Sequence, residues 1–230
     1  MKRFLPVLAV VVLAVALPVM AQADHRPGHA DPGKPKPPPG GADLTIAAQP
    51  NPTVFQRATV ISGSLKGPDN VGKTVVLRED AFRFGTGSVT TGPPTVTDAK
   101  GDYAFTRRPA LNTSYQAAVV NTTTVSAAVI VNVRIRMGLR VSDATPSVGQ
   151  LVRFRGRACP AHDGLPVRIQ RMTAKGTFQT VRRTTLRGAT GCSAYTRRFR
   201  VYRDGTYRVT SDDADHARGF SPTRFLNTPR

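Results

Sequence analysis

An all-β protein built from two tandem antiparallel sandwiches is predicted by three features of the sequence. A pattern of turn and core residues occurs twice: Pro52 returns as Pro146 and Gln56 as Gln150, 94 residues on, Gly63 as Gly156 at 93, and Gly72 and Tyr115 as Gly164 and Tyr207 at 92. A register held over that length marks duplicated domains. No stretch after the first 41 residues sustains a helical period, whereas short alternating runs rich in Val, Thr, Ile, Phe and Tyr recur between Gly, Pro, Asn and Asp. About seven such runs fall in each repeat, which suits two packed antiparallel sheets.

The chain opens with Lys2-Arg3, an apolar run from Phe4 to Met20 and then Ala21-Gln22-Ala23. That is the order of a secretory signal peptide, residues 1–23, with cleavage after Ala23. The competing reading, an uncleaved anchor, is weakened by Pro6 and Pro18 in a stretch that barely reaches spanning length. No membrane span is expected after cleavage, and the expected location is the exterior, either free or associated with the cell wall. Residues 24–41 contain Pro32-Gly33-Lys34-Pro35-Lys36-Pro37-Pro38-Pro39-Gly40-Gly41, which has no apolar surface to bury and reads as a disordered, Pro-rich linker.

The first repeat, 42–136, shows strand patterns near 43–48, 57–65, 73–79, 87–91, 102–107, 113–120 and 124–135. The second, 137–230, shows them near 138–143, 150–157, 166–172, 177–186, 193–201, 206–211 and 218–226. The apolar pattern from Val125 to Val141 runs almost unbroken across Arg136, so a short, stiff junction is expected. In Thr97-Asp98-Ala99-Lys100-Gly101-Asp102-Tyr103-Ala104-Phe105, Asp98 can bond the turn backbone, Gly101 can take positive φ, and Tyr103 and Phe105 then share a face. Asp204-Gly205, lying between two alternating runs, predicts a tight hairpin. The two cysteines, Cys159 and Cys192, both lie in the second repeat, and in an exported chain an even count reads as an intradomain disulfide. A pair of free buried thiols is the alternative.

Several of these motifs carry a family resemblance. The Pro-x-Val-x-x-Gln openings (Pro52, Val54, Gln56; Pro146, Val148, Gln150), Ser62-Gly63, the strands from Gly72 to Leu77 and from Gly164 to Ile169, and the Thr-Asp-x-x-Gly-x-Tyr-x-Phe turn resemble the bacterial immunoglobulin-like repeats of exported actinobacterial proteins. The turn is also similar to carboxypeptidase-regulatory-like and Cna-B-like modules. The resemblance covers most of 42–226 and implies two immunoglobulin-like sandwiches serving as spacers, adhesins or accessory domains. The second repeat departs from it, with Gly188-Ala189-Thr190-Gly191-Cys192 replacing the Asp-x-x-Gly turn.

Reaction chemistry is sparse. The chain has a single glutamate, Glu79, at a strand end, and four histidines, of which His162 and His216 lie in loops and belong to no nucleophile motif. No enzyme activity and no cofactor are expected. His25 and His29 with Asp24 and Asp31 lack tetrahedral ligand spacing, and Asp212-Asp213-Ala214-Asp215-His216 departs from the EF-hand pattern, so no metal site is assigned.

The basic excess is the one feature that suggests a partner. The formal net charge is +19. Residues 42–136 hold ten basic and six acidic side chains, net +4, while residues 137–230 hold eighteen and six, net +12. Alternation in Leu151-Val152-Arg153-Phe154-Arg155-Gly156-Arg157 sends Val152 and Phe154 inward and Arg153, Arg155 and Arg157 outward; Tyr195, Phe199 and Val201 likewise leave Arg198 and Arg200 outside. In an immunoglobulin-like topology these strands share a sheet, and the five arginines form one patch suited to a wall polymer or an acidic polysaccharide. Specific nucleic-acid recognition is not expected, because the aromatics are needed inside and no base-reading motif occurs. The first expectation is a non-catalytic exported structural or interaction protein of the bacterial envelope. A polyanion-binding module is the alternative, and an extracellular enzyme of unfamiliar type is the third.

Overall fold

A computed structural model describes residues 44–229. The signal-peptide pattern, the Pro-rich linker and the start of the first expected strand lie outside the described residues. The fold is all-β, with no helix among the described residues.

The first sandwich uses β1 (Ala47–Gln49), β2 (Thr53–Val54), β3 (Thr59–Ser64), β4 (Thr74–Ala81), β5 (Val89–Thr90), β6 (Thr95–Val96), β7 (Asp102–Arg107), β8 (Thr113–Val119), β9 (Val129–Val131) and β10 (Val133–Arg134). One sheet runs β1-β3-β7 and the other β5-β4-β8-β9, with β6 also on β4, while β2 and β10 form a parallel pair. The second sandwich uses β11 (Arg136–Met137), β12 (Arg140–Val141), β13 (Gln150–Cys159), β14 (Pro166–Met172), β15 (Phe178–Thr185), β16 (Arg187–Ala189), β17 (Cys192–Val201), β18 (Gly205–Ser211), β19 (Gly219–Phe220) and β20 (Arg224–Leu226). Its sheets are β11-β13-β17-β16, with β12 on β13, and β15-β14-β18-β19, with β20 on β18. Both units therefore pair the strands in the immunoglobulin-like order, and each closes on its own core. Leu44, Ile61, Leu77, Phe105 and Tyr115 fill the first. Phe154, Ile169, Phe199, Tyr207 and Val209 fill the second, where Phe154 stacks on Phe199 at 4.5 Å between ring centroids. Ile135 already belongs to the second core, and only that residue separates β10 from β11. The junction is as short as the unbroken apolar pattern suggested.

The repeated residues have physical causes. Gly72 and Gly164 both take positive φ, +68° and +85°, in the turns that launch β4 and β14, a conformation that costs glycine nothing. Gly63 and Gly156 are repeated for space instead. Tyr103 Oη donates to Thr45 O at 2.5 Å and Tyr195 Oη donates to Gly138 O at 2.7 Å, so each sandwich ties its first segment down with a buried phenol. A Cβ at Gly63 or Gly156 would collide with that same carbonyl and that same hydroxyl.

The Asp98 turn forms as expected: its carboxylate accepts Lys100 N and Asp102 N at 2.8 and 2.9 Å, and Gly101 has φ +82°. Those backbone bonds hold the Asp98 carboxyl below the usual range. The expected hairpin at Asp204-Gly205 is corrected. β17 and β18 lie in different sheets, so this segment crosses the sandwich, with the Asp204 carboxylate accepting Thr228 N at 2.5 Å. A two-residue hairpin occurs instead at Thr190-Gly191, where Ala189 pairs with Cys192. Cys159 and Cys192 are joined by a disulfide at the end of the β13–β17 ladder, linking neighbours within one sheet.

Burial raises the pKa of Tyr103, Tyr115, Tyr195 and Tyr207. A raised folded pKa stabilises the fold below the unfolded tyrosine value of about 10, and this contribution is lost as pH climbs above it. Denaturant midpoints should hold up to about pH 10 and then fall, with phenolate absorbance and loss of β-signal appearing together. Phenolate absorbance rising near pH 10 from all the tyrosines of a still-folded protein would contradict the buried phenol ties.

Candidate functional site

Strand alternation positions the arginine face. Val152, Phe154, Tyr195 and Phe199 are buried, while Arg155, Arg157, Arg198 and Arg200 are exposed or partly so and Arg153 is half-exposed. The β13–β17 register sets Arg153 directly opposite Arg198 and Leu151 opposite Arg200. On the other side of β13, Arg140 of β12 pairs with Arg155. An open groove on this face is lined by Arg140, Arg153, Arg155, Arg157 and Arg224. All five arginines expected from the sequence are brought onto one face. Arg140 and Arg224 were missed, although Arg140 alternates between Leu139 and Val141 in the manner that exposed the others.

Like charges directly opposite on a sheet repel. Among the described residues none of these seven arginines forms an ion pair. Arg200 donates to Gly149 O and Arg224 to Leu139 O, both neutral carbonyls. The opposite sheet of the same sandwich contrasts with this. Arg168 and Arg218 both bond Asp212, whose carboxyl is held below the usual range chiefly by the Arg168 bond. Arg208 lies over the rings of Phe178 and Phe220, at 3.8 and 4.5 Å from their centroids, and donates to Gln170. Arg168 and Arg218 are thus compensated by a carboxylate, whereas the arginines of β12, β13 and β17 have none among the described residues.

A second cluster lies where the sandwiches meet. His162, from the β13–β14 loop, and His216, from the β18–β19 loop, stand edge to face at 4.8 Å between centroids. Asp215 Oδ1 lies 3.3 Å from His162 Nε2 and 2.8 Å from His216 Nδ1, and Asp213 Oδ2 lies 3.6 Å from His162 Nε2. The first sandwich contributes backbone: Ala110 O faces His216 Nε2 at 2.8 Å, and Asn112 N donates to Asp215 O at 3.0 Å. Burial pushes the Asp215 carboxyl up, but the two imidazoles outweigh it and hold it below the ordinary range. Nothing in the linear order signals this meeting, because each histidine by itself reads as an ordinary loop residue. The three aspartates of 212–215 do not converge, since Asp212 is engaged by the two arginines.

The neighbouring Ser193 is buried, donates to Asp163 Oδ1 at 2.5 Å and accepts the backbone N–H of His162 at 2.8 Å. The His162 ring does not reach it, so serine, histidine and aspartate stand close together here without a nucleophile-to-base hydrogen bond.

No family model matches the chain, and no curated protein matches it. Among solved structures it is similar to the tetra-tandem repeat in the extending region of a large adhesion protein, at 16% identity and TM-score 0.34, covering 81% of this chain and 50% of that one. It is similar to red sea bream transglutaminase at 11% identity and TM-score 0.39, covering 81% and 32%, and to the ectodomain of the teleost fish polymeric Ig receptor at 14% and 0.34, covering 81% and 98%. The chain thus spans half the length of the first and about a third of the second. Likenesses at this level assign neither family nor function, and the fold rests on the strand pairing itself.

Proposed function

We propose that the chain is a non-catalytic interaction module, exported to the bacterial cell envelope or exterior in the manner of actinobacterial immunoglobulin-like repeats, and that its contact surface is the arginine face. The observation that carries the reading is the row of cations set opposite one another across β12, β13 and β17 without a carboxylate among them. Such a lattice gains stability when an anionic polymer supplies the missing charge. The disulfide supports export, since such bonds persist in oxidising compartments. A flat strand surface offers charge and no base-reading element, so a teichoic-type wall polymer or an acidic polysaccharide fits better than a specific nucleic-acid site.

The full chain should be retained on an immobilised anionic polymer at low salt and released as salt rises. Changing Arg153, Arg155, Arg157, Arg198 and Arg200 together to Gln should bring elution to much lower salt without moving the melting temperature, because these side chains point away from the core. Co-elution of parent and variant would reject the face. No retention of the parent at low salt would leave a structural spacer.

A further inference from the structure

We propose that His162, Asp213, Asp215 and His216 form a binding site for a divalent metal ion of the zinc class at the junction of the two sandwiches. The far side of each ring fixes where its proton sits. A neutral imidazole has one donor and one acceptor nitrogen. His162 Nδ1 faces Pro160 O at 3.0 Å and His216 Nε2 faces Ala110 O at 2.8 Å, and a carbonyl oxygen can only accept, so both of these nitrogens carry the proton. His162 Nε2 and His216 Nδ1 both face Asp215 Oδ1, where in the absence of a metal ion a proton on each nitrogen bonds the carboxylate, and where a bound ion would instead take their lone pairs. Three potential donor atoms thus converge on one point, where a divalent ion can replace the protons.

The donor set selects the class of cation. Two imidazole nitrogens with carboxylate oxygens suit zinc-like ions, whereas Ca²⁺ and Mg²⁺ prefer all-oxygen sites. The ligand atoms of His162, Asp215 and His216 lie within 4.8 Å of one another. The separations of 3.3 and 3.6 Å from His162 and 2.8 Å from His216 to the aspartates bracket the edge of about 3.3 Å that a tetrahedron with bonds of about 2.0 Å requires, so a bound ion would part His216 from Asp215 slightly. Asp213, whose Oδ2 lies 3.6 Å from His162 Nε2 outside the group of three, would swing in as the fourth donor. The outer shell is also in place, because metal-bound histidines as a rule give their other N–H to a carbonyl or carboxylate, as both do here. The side chains of His162 and His216 are only 7% and 0% exposed, so packing holds both rings in place, while Asp213 and Asp215 open to the outside. A groove between Phe82, Arg83 and Leu111 of the first sandwich and Asp213, Ala214 and Asp215 of the second gives an ion its approach. Because Ala110 and Asn112 belong to the first sandwich, the ion would also fasten the junction.

The test uses the full chain after chelation. Titration with Zn²⁺ should show uptake of one equivalent that His162→Ala abolishes or weakens by more than the roughly 10- to 100-fold cost of losing an outer-shell partner. Co²⁺ should give the visible absorption of a tetrahedral site in the parent and not in that variant, and Ca²⁺ should not compete. Zn²⁺ should raise the melting temperature of the parent alone. Asp213→Asn, at an exposed carboxylate, is the second variant should His162→Ala not fold, and it should weaken Zn²⁺ binding while leaving the metal-free melting temperature unchanged. Equal uptake by parent and variants would place the ion elsewhere, for instance at His25 and His29, and would overturn the proposal. So would no uptake by the parent, which would mean that protons alone hold the ring pair.

Discussion

Gly156→Ala is expected to destabilise the second sandwich by about 2 to 4 kcal/mol, and Gly63→Ala to do the same to the first. Neither glycine is needed for its φ, so the cost is one of space. A methyl at either position meets a backbone carbonyl, of Thr45 or Gly138, and the hydroxyl that bonds it. Overpacking of this kind costs about 1 to 3 kcal/mol. Displacing the buried tyrosine adds about 1 to 3 kcal/mol if its hydroxyl loses the carbonyl, and the two costs overlap because one movement relieves both. Urea unfolding followed by tyrosine fluorescence measures the change. Tyr195→Phe should remove part of the Gly156→Ala penalty in the double variant, since the hydroxyl is one of the two obstacles. A loss below about 0.5 kcal/mol for either alanine, the range of ordinary surface changes, would show that the tie is not structural.

Breaking the disulfide is expected to cost about 3 to 4 kcal/mol, the chain-entropy value for a loop of this length. Cys159 and Cys192 are 33 residues apart and enclose β14, β15 and β16, so the open chain gains the freedom of a large part of the second sandwich. The effect should be confined to that half, since the first sandwich has no cysteine. Reduction, or Cys159→Ala with Cys192→Ala, should lower the urea midpoint of a transition followed through residues 137–230 and leave the one reporting the first sandwich in place. Intact mass should rise by two hydrogens on reduction. Equal midpoints with and without reductant would mean that the β13–β17 ladder already enforces the closure.

Local information carries the strands well. The pattern at 166–172 is β14, and those at 102–107 and 193–201 match β7 and β17 to within a residue, because each has alternation bounded by turn formers. The outward arginines are readable for the same reason. Three short strands, β2, β6 and β16, do not stand out in the sequence, since two or three residues carry no period and are defined by the neighbour they pair with. Asp204-Gly205 misleads because the same dipeptide that closes a hairpin also tolerates a crossing between sheets, and only the pairing partner distinguishes them. The histidine cluster is the least accessible. His162 and His216 stand on the β13–β14 and β18–β19 loops, far apart in the chain, and their support at Ala110 comes from the other sandwich. An immunoglobulin-like topology places those two loops at one end, so their residues become neighbours only once the topology is known.

The slope of log affinity against log salt, for the full chain binding a defined teichoic-type polymer, tests the proposed function most directly. The parent should show a steep linear fall, and the variant with Arg153, Arg155, Arg157, Arg198 and Arg200 changed to Gln should lose roughly one unit of slope for each phosphate contact removed. Parent and variant sharing one slope and one affinity, with both folded, would contradict a polyanion-binding arginine face.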